Sequence, residues 1–258
     1  MSENKKTLNN SVAKAFTLLE CFTPAKQEWG VRELAQQLQA NKSTTYRLMA
    51  TLESLGVLRK DQQTEKYSLG LKLFELGNKV DVQHSLVSHT HPELLKVASE
   101  IAETVHLGIL NDHQVLMVDK VESPKGLKLN SVIGMYSPAY CTGIGKVLLS
   151  HLSAAELKTF LTTSDLVSKT EFTIVQPKKL QEALIQIKAQ GFAIDRQEME
   201  LGLICVAVPV FNQNGIVVAA LSAAGPSIRF REEALMEYVA ILQKGATAIQ
   251  KRIGGFVP

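Results

Sequence analysis

Residues 30–56 read GVRELAQQLQANKSTTYRLMATLESLG, and the fold of the first third of the chain turns on them. Val31, Leu34, Ala35 and Leu38 recur at helical spacing, a short polar turn follows, and a second helical run closes at Gly56, which suits the left-handed C′ position. In that second run Leu48, Leu52 and Leu55 fall at i, i+4 and i+7, with Thr45 one turn earlier, and form the expected buried stripe. Two helices joined by so short a turn make a helix-turn-helix. Upstream, NNSVAKAFTLLECF (9–22) sets Val12, Ala15, Phe16, Leu19 and Phe22 at helical spacing, with Asn10 or Ser11 as N-cap and Pro24 as terminator. Downstream, VLRK (57–60) and KYSLG (66–70) are strand-like runs joined by the polar DQQTE. The sum is a winged helix-turn-helix over 11–70, behind a polar tail at 1–10 that is expected to be disordered.

In such a module the second helix enters the major groove and its first turn reaches base edges. Lys42, Ser43, Thr44, Tyr46 and Arg47 project from that turn, opposite the apolar stripe. Ser and Thr bond phosphates or bases, and Arg pairs bidentately with guanine. Arg59, Lys60 and Lys66 lie in the wing, placed for backbone contacts. The competing reading is a solvated helix start with Ser43 as its cap. Charge agrees with a nucleic-acid partner: residues 1–80 hold twelve Lys/Arg against eight Asp/Glu, a surplus of four, while the whole chain carries +3.

The remaining residues, 258 in all and 45% hydrophobic, suffice for a second domain. LKLFELGNKVDVQHSLVSHTH (71–91) is unevenly helical around Gly77, which suggests a linker helix over 71–90 or two short ones. Pro92 disfavours helix at His91 and sets the expected boundary of a domain spanning 91–258. That domain opens on an amphipathic helix, PELLKVASEIAETV. Strand signals follow in HLGILN, QVLMVDKVE, LKLNSVIG, FAIDR, LICVAVPVF and IVVAALSAA, with helices at about Gly143, at SAAELKTFLTT, at PKKLQEALIQIKAQ and from about Arg231 to Arg252. The fold class is α+β, with strands from both ends of the domain sharing one antiparallel sheet flanked by helices. Three distant cysteines, Cys21, Cys141 and Cys205, point to reduced thiols, and no run of about 18 apolar residues suggests a membrane span. A cytoplasmic location follows as an expectation.

YCTGIGKVLLS (140–150) invites three chemistries. A phosphate loop needs G-x-x-x-x-G-K-[ST], but Val147 follows Lys146 and Tyr140 stands where the first glycine belongs. A nucleophilic cysteine needs a base, and no motif ties His84, His89, His91, His106, His113 or His151 to Cys141 or Cys205. These histidines read as surface or linker residues, and the i, i+2 spacing of His89 and His91 does not converge on a metal. The third chemistry is a ligand pocket. Gly143 leaves the first backbone N–H groups of a helix unobstructed, a site for a carboxylate. Asp195, Cys205 and Ser222, on three strands, supply small polar groups. Asp195 could instead pair with Arg196 or a lysine, and Cys205 could be plain core. Lys146 is expected to face solvent or a dimer partner. No metal or cofactor is expected.

SVAKAFTLLECF (11–22), KSTTYRLMATLESLG (42–56) and KYSLGLKLFELG (66–77) resemble the opening of the IclR family of bacterial transcriptional regulators. The likeness runs through HPELLKVASEIAETVHLGIL (91–110), VDKVES (118–123), SPAYCTGIGKVLLS (137–150) and GFAIDRQEMELGLICVAVPVF (191–211), ending in VVAALSAAGPSIRF (217–230). EKYSLGLKLFELG, HLGIL and YCTGIGKVLLS are most similar to the branch that senses 2-keto-3-deoxygluconate and related sugar acids. The resemblance implies a GAF/PAS-like effector domain, a homodimer or homotetramer on palindromic operator DNA, and a small carboxylate or sugar-acid effector. It also implies a pocket built from a Gly-Ala pair before GK, an aspartate, a cysteine and two serines, which fall on Gly143, Ile144, Asp195, Cys205 and Ser222. Ala224 replaces the second serine, and Ile144 a smaller residue. Two alternatives stand beside it: an enzyme acting on a small acid with a fused DNA-binding head, and a redox regulator working through Cys141.

Overall fold

The computed structural model describes residues 9–80, 82–125, 129–254 and 256. The chain divides into two compact units, Met1–Val80 and Asp81–Pro258. The first holds helices α1 (Asn10–Leu19), α2 (Val31–Gln37), α3 (Lys42–Ser54) and α4 (Leu71–Gly77), with a hairpin of β1 (Leu58–Lys60) and β2 (Tyr67–Leu69) between α3 and α4. Asn9 caps α1, its side chain accepting from the N–H groups of Ser11 and Val12. The cap therefore lies one residue before the expected Asn10 or Ser11, because Asn9 already has the extended backbone a capping side chain needs. Residues 1–8 of the expected tail lie outside the described residues.

Two apolar stripes differ from expectation. In α3 the buried residues are Thr45, Met49 and Leu52, whereas Leu55 is 61% exposed. At about 100° per residue Leu55 has rotated roughly 80° from Thr45, and the chain turns away at Gly56, whose φ is +73°. In α1 it is Leu18 that is fully buried, against Trp29, Leu34 and Met49, while Val12 and Phe16 are exposed. The apolar stripe of α1 thus faces outward. The wing is held at its base by Tyr67, which is buried and pairs with Trp29 through two backbone hydrogen bonds of 2.9 Å.

In the second unit a π-helical turn (Val82–Val87) leads directly into α5 (Ser88–Ile101), with Pro92 inside the helix. The boundary expected at Pro92 is absent. Proline is tolerated early in a helix, where few N–H groups would be bonded, and Leu94, Val97, Ala98 and Ile101 lock the run into the core. Six strands follow in one antiparallel sheet: β3 (Thr104–Asn111), β4 (Gln114–Val121), β5 (Tyr136–Pro138), β6 (Ala193–Arg196), β7 (Leu203–Phe211) and β8 (Val217–Pro226). Their order is β5-β4-β3-β8-β7-β6, so strands from the two ends of the unit meet at β3 and β8. Asp112 and His113, both at positive φ, form the tight β3–β4 hairpin turn.

One face of the sheet packs on α5 and α9 (Glu232–Ile253); α6 (Gly143–Ser150), α7 (Ala154–Thr163) and α8 (Pro177–Gln190) contribute to the core on the other. The run LKLNSVIG does not form the expected strand where it is described. Residues 129–134 are irregular, and their carbonyls at Leu129 and Ser131 accept from Lys120 Nζ instead of a neighbouring strand. The strand partner of β4 is β5, whose three residues carry too little pattern to be read from sequence.

Candidate functional site

The helix-turn-helix presents the predicted groove-reading surface. Asn41 caps α3, accepting from the Ser43 N–H at 2.9 Å and from the Ser43 hydroxyl at 2.8 Å. Ser43 is therefore not the capping residue. Lys42, Ser43, Thr44, Tyr46 and Arg47 are all exposed on the first two turns, with buried Thr45 among them. In the wing Arg59 is exposed, Lys66 is half-buried, and Lys60 is ion-paired to Glu65 with its ammonium near the Tyr67 ring. Lys60 is thus already engaged within the hairpin, which sequence spacing did not reveal.

In the second unit Gly143, Ile144, Asp195, Cys205 and Ser222 all line one cavity of about 190 Å³. The sheet register brings them together. Cys205 stands opposite Asp195 on one side and Ala224 on the other, and two residues along, Ala207, Ser222 and His106 form the next rung. α6 begins above them. Thr142 caps it, accepting from the Gly145 N–H at 3.2 Å and donating to the Pro138 carbonyl at 2.9 Å. A Cβ on Gly143 would lie 3.0 Å from Cys205 Sγ and 3.3 Å from Ala207 Cβ, so glycine permits this close approach of helix to sheet. The first-turn N–H groups of α6 sit at the cavity, where an anion is favoured.

The electrostatics are those of a dry site. Burial pushes the Asp195 carboxyl up to about 7, against the pull of Lys146 and a 2.7 Å hydrogen bond from the Glu198 N–H. Asp195 does not pair with Arg196, which is bonded to Glu232 at 3.0 Å. Lys146 is buried, donating to the Ile194 carbonyl at 3.0 Å and ion-paired to Glu198. The expectation that it faces solvent or a partner is corrected: the last turn of the lysine stem reaches a carboxylate 52 residues on, a pairing invisible in one dimension. Among the described residues two buried side-chain oxygens lack a hydrogen-bond partner, Glu198 Oε2 and Ser222 Oγ. Ser222 lines the cavity, where a ligand hydroxyl or carboxylate would satisfy it.

Sequence reasoning missed His106. It is 4% exposed, lines the cavity, and its Nε2 lies 2.8 Å from Ser131 Oγ. Burial, aided by nearby Lys120, pushes its imidazole down to about 3, so the ring is neutral. Its signal was a lone polar residue within an apolar strand. His91 also departs from a bland surface role, since it contacts buried Asp119 at 2.9 Å. Cys141 and Cys205 carry thiols pushed up to about 12 by burial. A thiolate nucleophile or redox centre needs the opposite shift. Among the described residues no cluster of three metal-ligating side chains occurs, and no helix is long and apolar enough to cross a membrane.

A winged helix-turn-helix joined to an α+β unit with a small buried pocket defines a ligand-responsive DNA-binding protein. Residues 11–62 match the IclR helix-turn-helix domain, and residues 79–251 match the bacterial transcriptional regulator IclR C-terminal domain. The chain belongs to the IclR family of transcriptional regulators. It is similar to the HTH-type transcriptional regulator KdgR of Escherichia coli, 38% identical over 245 residues, covering 95% of this chain and 93% of that protein. The crystal structure of the Thermotoga maritima IclR is 31% identical with a TM-score of 0.77, over 95% of this chain and 99% of that one. An IclR homologue from Microbacterium hydrocarbonoxydans, complexed with 4-hydroxybenzoate, shares the fold at TM-score 0.85 and 21% identity, over 95% of this chain and 99% of that chain. The relatives are regulators and repressors, not enzymes.

Proposed function

We propose that this regulator senses a small sugar acid or related carboxylate and changes its operator binding in response. The carrying observation is that five residues from four separate elements, Gly143, Ile144, Asp195, Cys205 and Ser222, line a single cavity with an unsatisfied serine hydroxyl in it. The acid group sits at the start of α6, and Asp195, Cys205 and Ser222 address the rest of the molecule. Likeness to KdgR supports 2-keto-3-deoxygluconate and its relatives as first candidates. The cavity lining favours this over catalysis on the same acid, because neither thiol is poised to attack.

On the DNA side, Lys42, Ser43, Thr44, Tyr46 and Arg47 read the groove, while Arg59, Lys60 and Lys66 meet the backbone. Lys60 would have to leave Glu65 to do so. A palindromic operator calls for two copies, and the exposed apolar residues Val12 and Phe16 of α1 and Leu71 and Phe74 of α4 supply a surface for self-association as a homodimer or homotetramer. Effector binding then shifts the population between dimer geometries that differ in operator fit.

Arg47→Ala should weaken operator binding by about 1–3 kcal/mol, the worth of a bidentate base contact, while non-specific binding falls far less. Gel-shift titrations against operator and scrambled DNA measure both; an unchanged operator affinity removes Arg47 from the reading surface. Asp195→Asn should leave operator binding intact and abolish the response to effector. It also carries a pH signature. The raised carboxyl of Asp195 means the folded state holds a proton that the unfolded state has released, so wild-type stability falls as pH rises between about 4 and 7. The asparagine variant lacks this contribution. Its melting temperature should therefore gain on the wild type across that window, and parallel melting curves at pH 4 and pH 8 would argue that Asp195 ionises normally.

A further inference from the structure

The cavity has a second polar side that the residues assigned to it so far do not include. His106 and Ser222 face each other across β3 and β8, both line the cavity, and both are buried. One is a hydroxyl with no hydrogen-bond partner. The other is an imidazole whose Nε2 is held by Ser131 at 2.8 Å. Ser131 belongs to the irregular segment whose carbonyls at 129 and 131 are pinned by Lys120, so the ring is fixed from outside the sheet. The other cavity-facing neighbours on this side, Val115, Met117, Met135 and Ala224, are apolar. A polar pair so placed among apolar walls discriminates between ligands, because an unmatched buried polar group costs more than a matched one gains.

We propose that His106 is a specificity-determining residue of the effector pocket, offering a hydrogen bond to a hydroxyl on the carbon chain and so selecting hydroxylated acids over unsubstituted acids of the same length. This rests on the cavity being the effector site. Ser131 orients the ring, Ser222 shares the same hydroxyl-bearing end, and the carboxylate lies at the start of α6. Because the imidazole stays uncharged, it contributes direction to the contact rather than a counter-charge.

The test is calorimetric titration of the full-length protein with two probes, gluconate and hexanoate, which share chain length and carboxylate but differ in hydroxyls. The wild type should prefer gluconate. His106→Phe should weaken gluconate by about fivefold, the worth of one hydrogen bond, and leave hexanoate equal or tighter. His106→Gln, which can still bond a hydroxyl, should recover part of the preference. Ser131→Ala, at a partly exposed loop position, leaves the core untouched and should narrow the preference without unfolding. If gluconate binds the wild type and the preference survives in His106→Phe, or in Ser131→Ala should the phenylalanine variant not fold, His106 does not select the ligand. If the wild type binds neither probe and Asp195→Asn retains a normal effector response, the effector-site reading fails and takes the proposal with it.

Discussion

Lys146→Met lowers the unfolding free energy by about 3–5 kcal/mol, because it leaves Glu198 as a buried carboxylate without its cation. The pair is enclosed, with 3% and 8% of the two side chains exposed, and Glu198 Oε2 already lacks a partner. Water cannot replace the ammonium without opening the loop after β6, which is tied by Thr173 Oγ1 to the Glu198 carbonyl at 2.7 Å. The loss should be mostly repaired in the double variant Lys146→Met, Glu198→Gln, since an amide is far cheaper to bury than a lone charge. Urea titration of the three variants closes a double-mutant cycle. A single-variant loss below about 1 kcal/mol would show that the charge is relieved by protonation or solvent, and the pair would then hold nothing in place. The pair also matters to the site. Lys146 is the nearest cation to Asp195, so its removal should push that carboxyl still higher and move the pH window of Asp195→Asn upward.

Gly145→Ala should be nearly as costly, and for a different reason. A Cβ at Gly145 would overlap the backbone oxygen and Cα of Ala139, and backbone cannot rotate aside as a side chain can. Either α6 moves away from the 139–142 turn or the turn is rebuilt, at about 3 kcal/mol or more. For a unit of this size that is a fall in melting temperature of roughly 6–12 °C. Gly143→Ala meets only Cys205 Sγ and Ala207 Cβ at van der Waals range. It should cost less stability and act chiefly on ligand affinity. Thermal unfolding with and without a saturating acid separates the two glycines. Equal melting temperatures for wild type and Gly145→Ala would mean that α6 does not pack as closely on Ala139 as described.

The two glycines show where one-dimensional reasoning stops. TGIGK announces a helix start with bare N–H groups, and α6 begins at Gly143 as expected. Nothing in the motif says that Gly145, rather than Gly143, is the one jammed against backbone. The same limit explains Lys146, whose partner lies in a loop beyond two further helices. His106 was harder still. Its meaning comes from its neighbours Ser222 and Ser131, which are 116 and 25 residues away in the chain.

In the DNA-binding unit the order of elements was legible because helix periods, turn residues and a short hairpin are local signals. Which face of each helix turns inward was not. Val12 and Phe16 read as core and lie exposed, and Leu55 read as core and lies past the last buried turn. An apolar stripe states that a surface will be covered, without stating whether the same chain or another copy covers it. Pro92 misled for a related reason: a local bias of the residue before proline is outweighed by four apolar residues of α5 entering the core.

Local chemistry written along the chain was enough to establish a winged helix-turn-helix, an α+β second unit, the family, and the five residues expected at one pocket. Folding alone brought Lys146 to Glu198, His106 to Ser222 and Ser131, and left Ser222 without a partner. Sheet register and burial are properties of residues far apart in sequence, and the dry, low-dielectric pocket they enclose is what raises Asp195, silences both thiols and keeps His106 neutral.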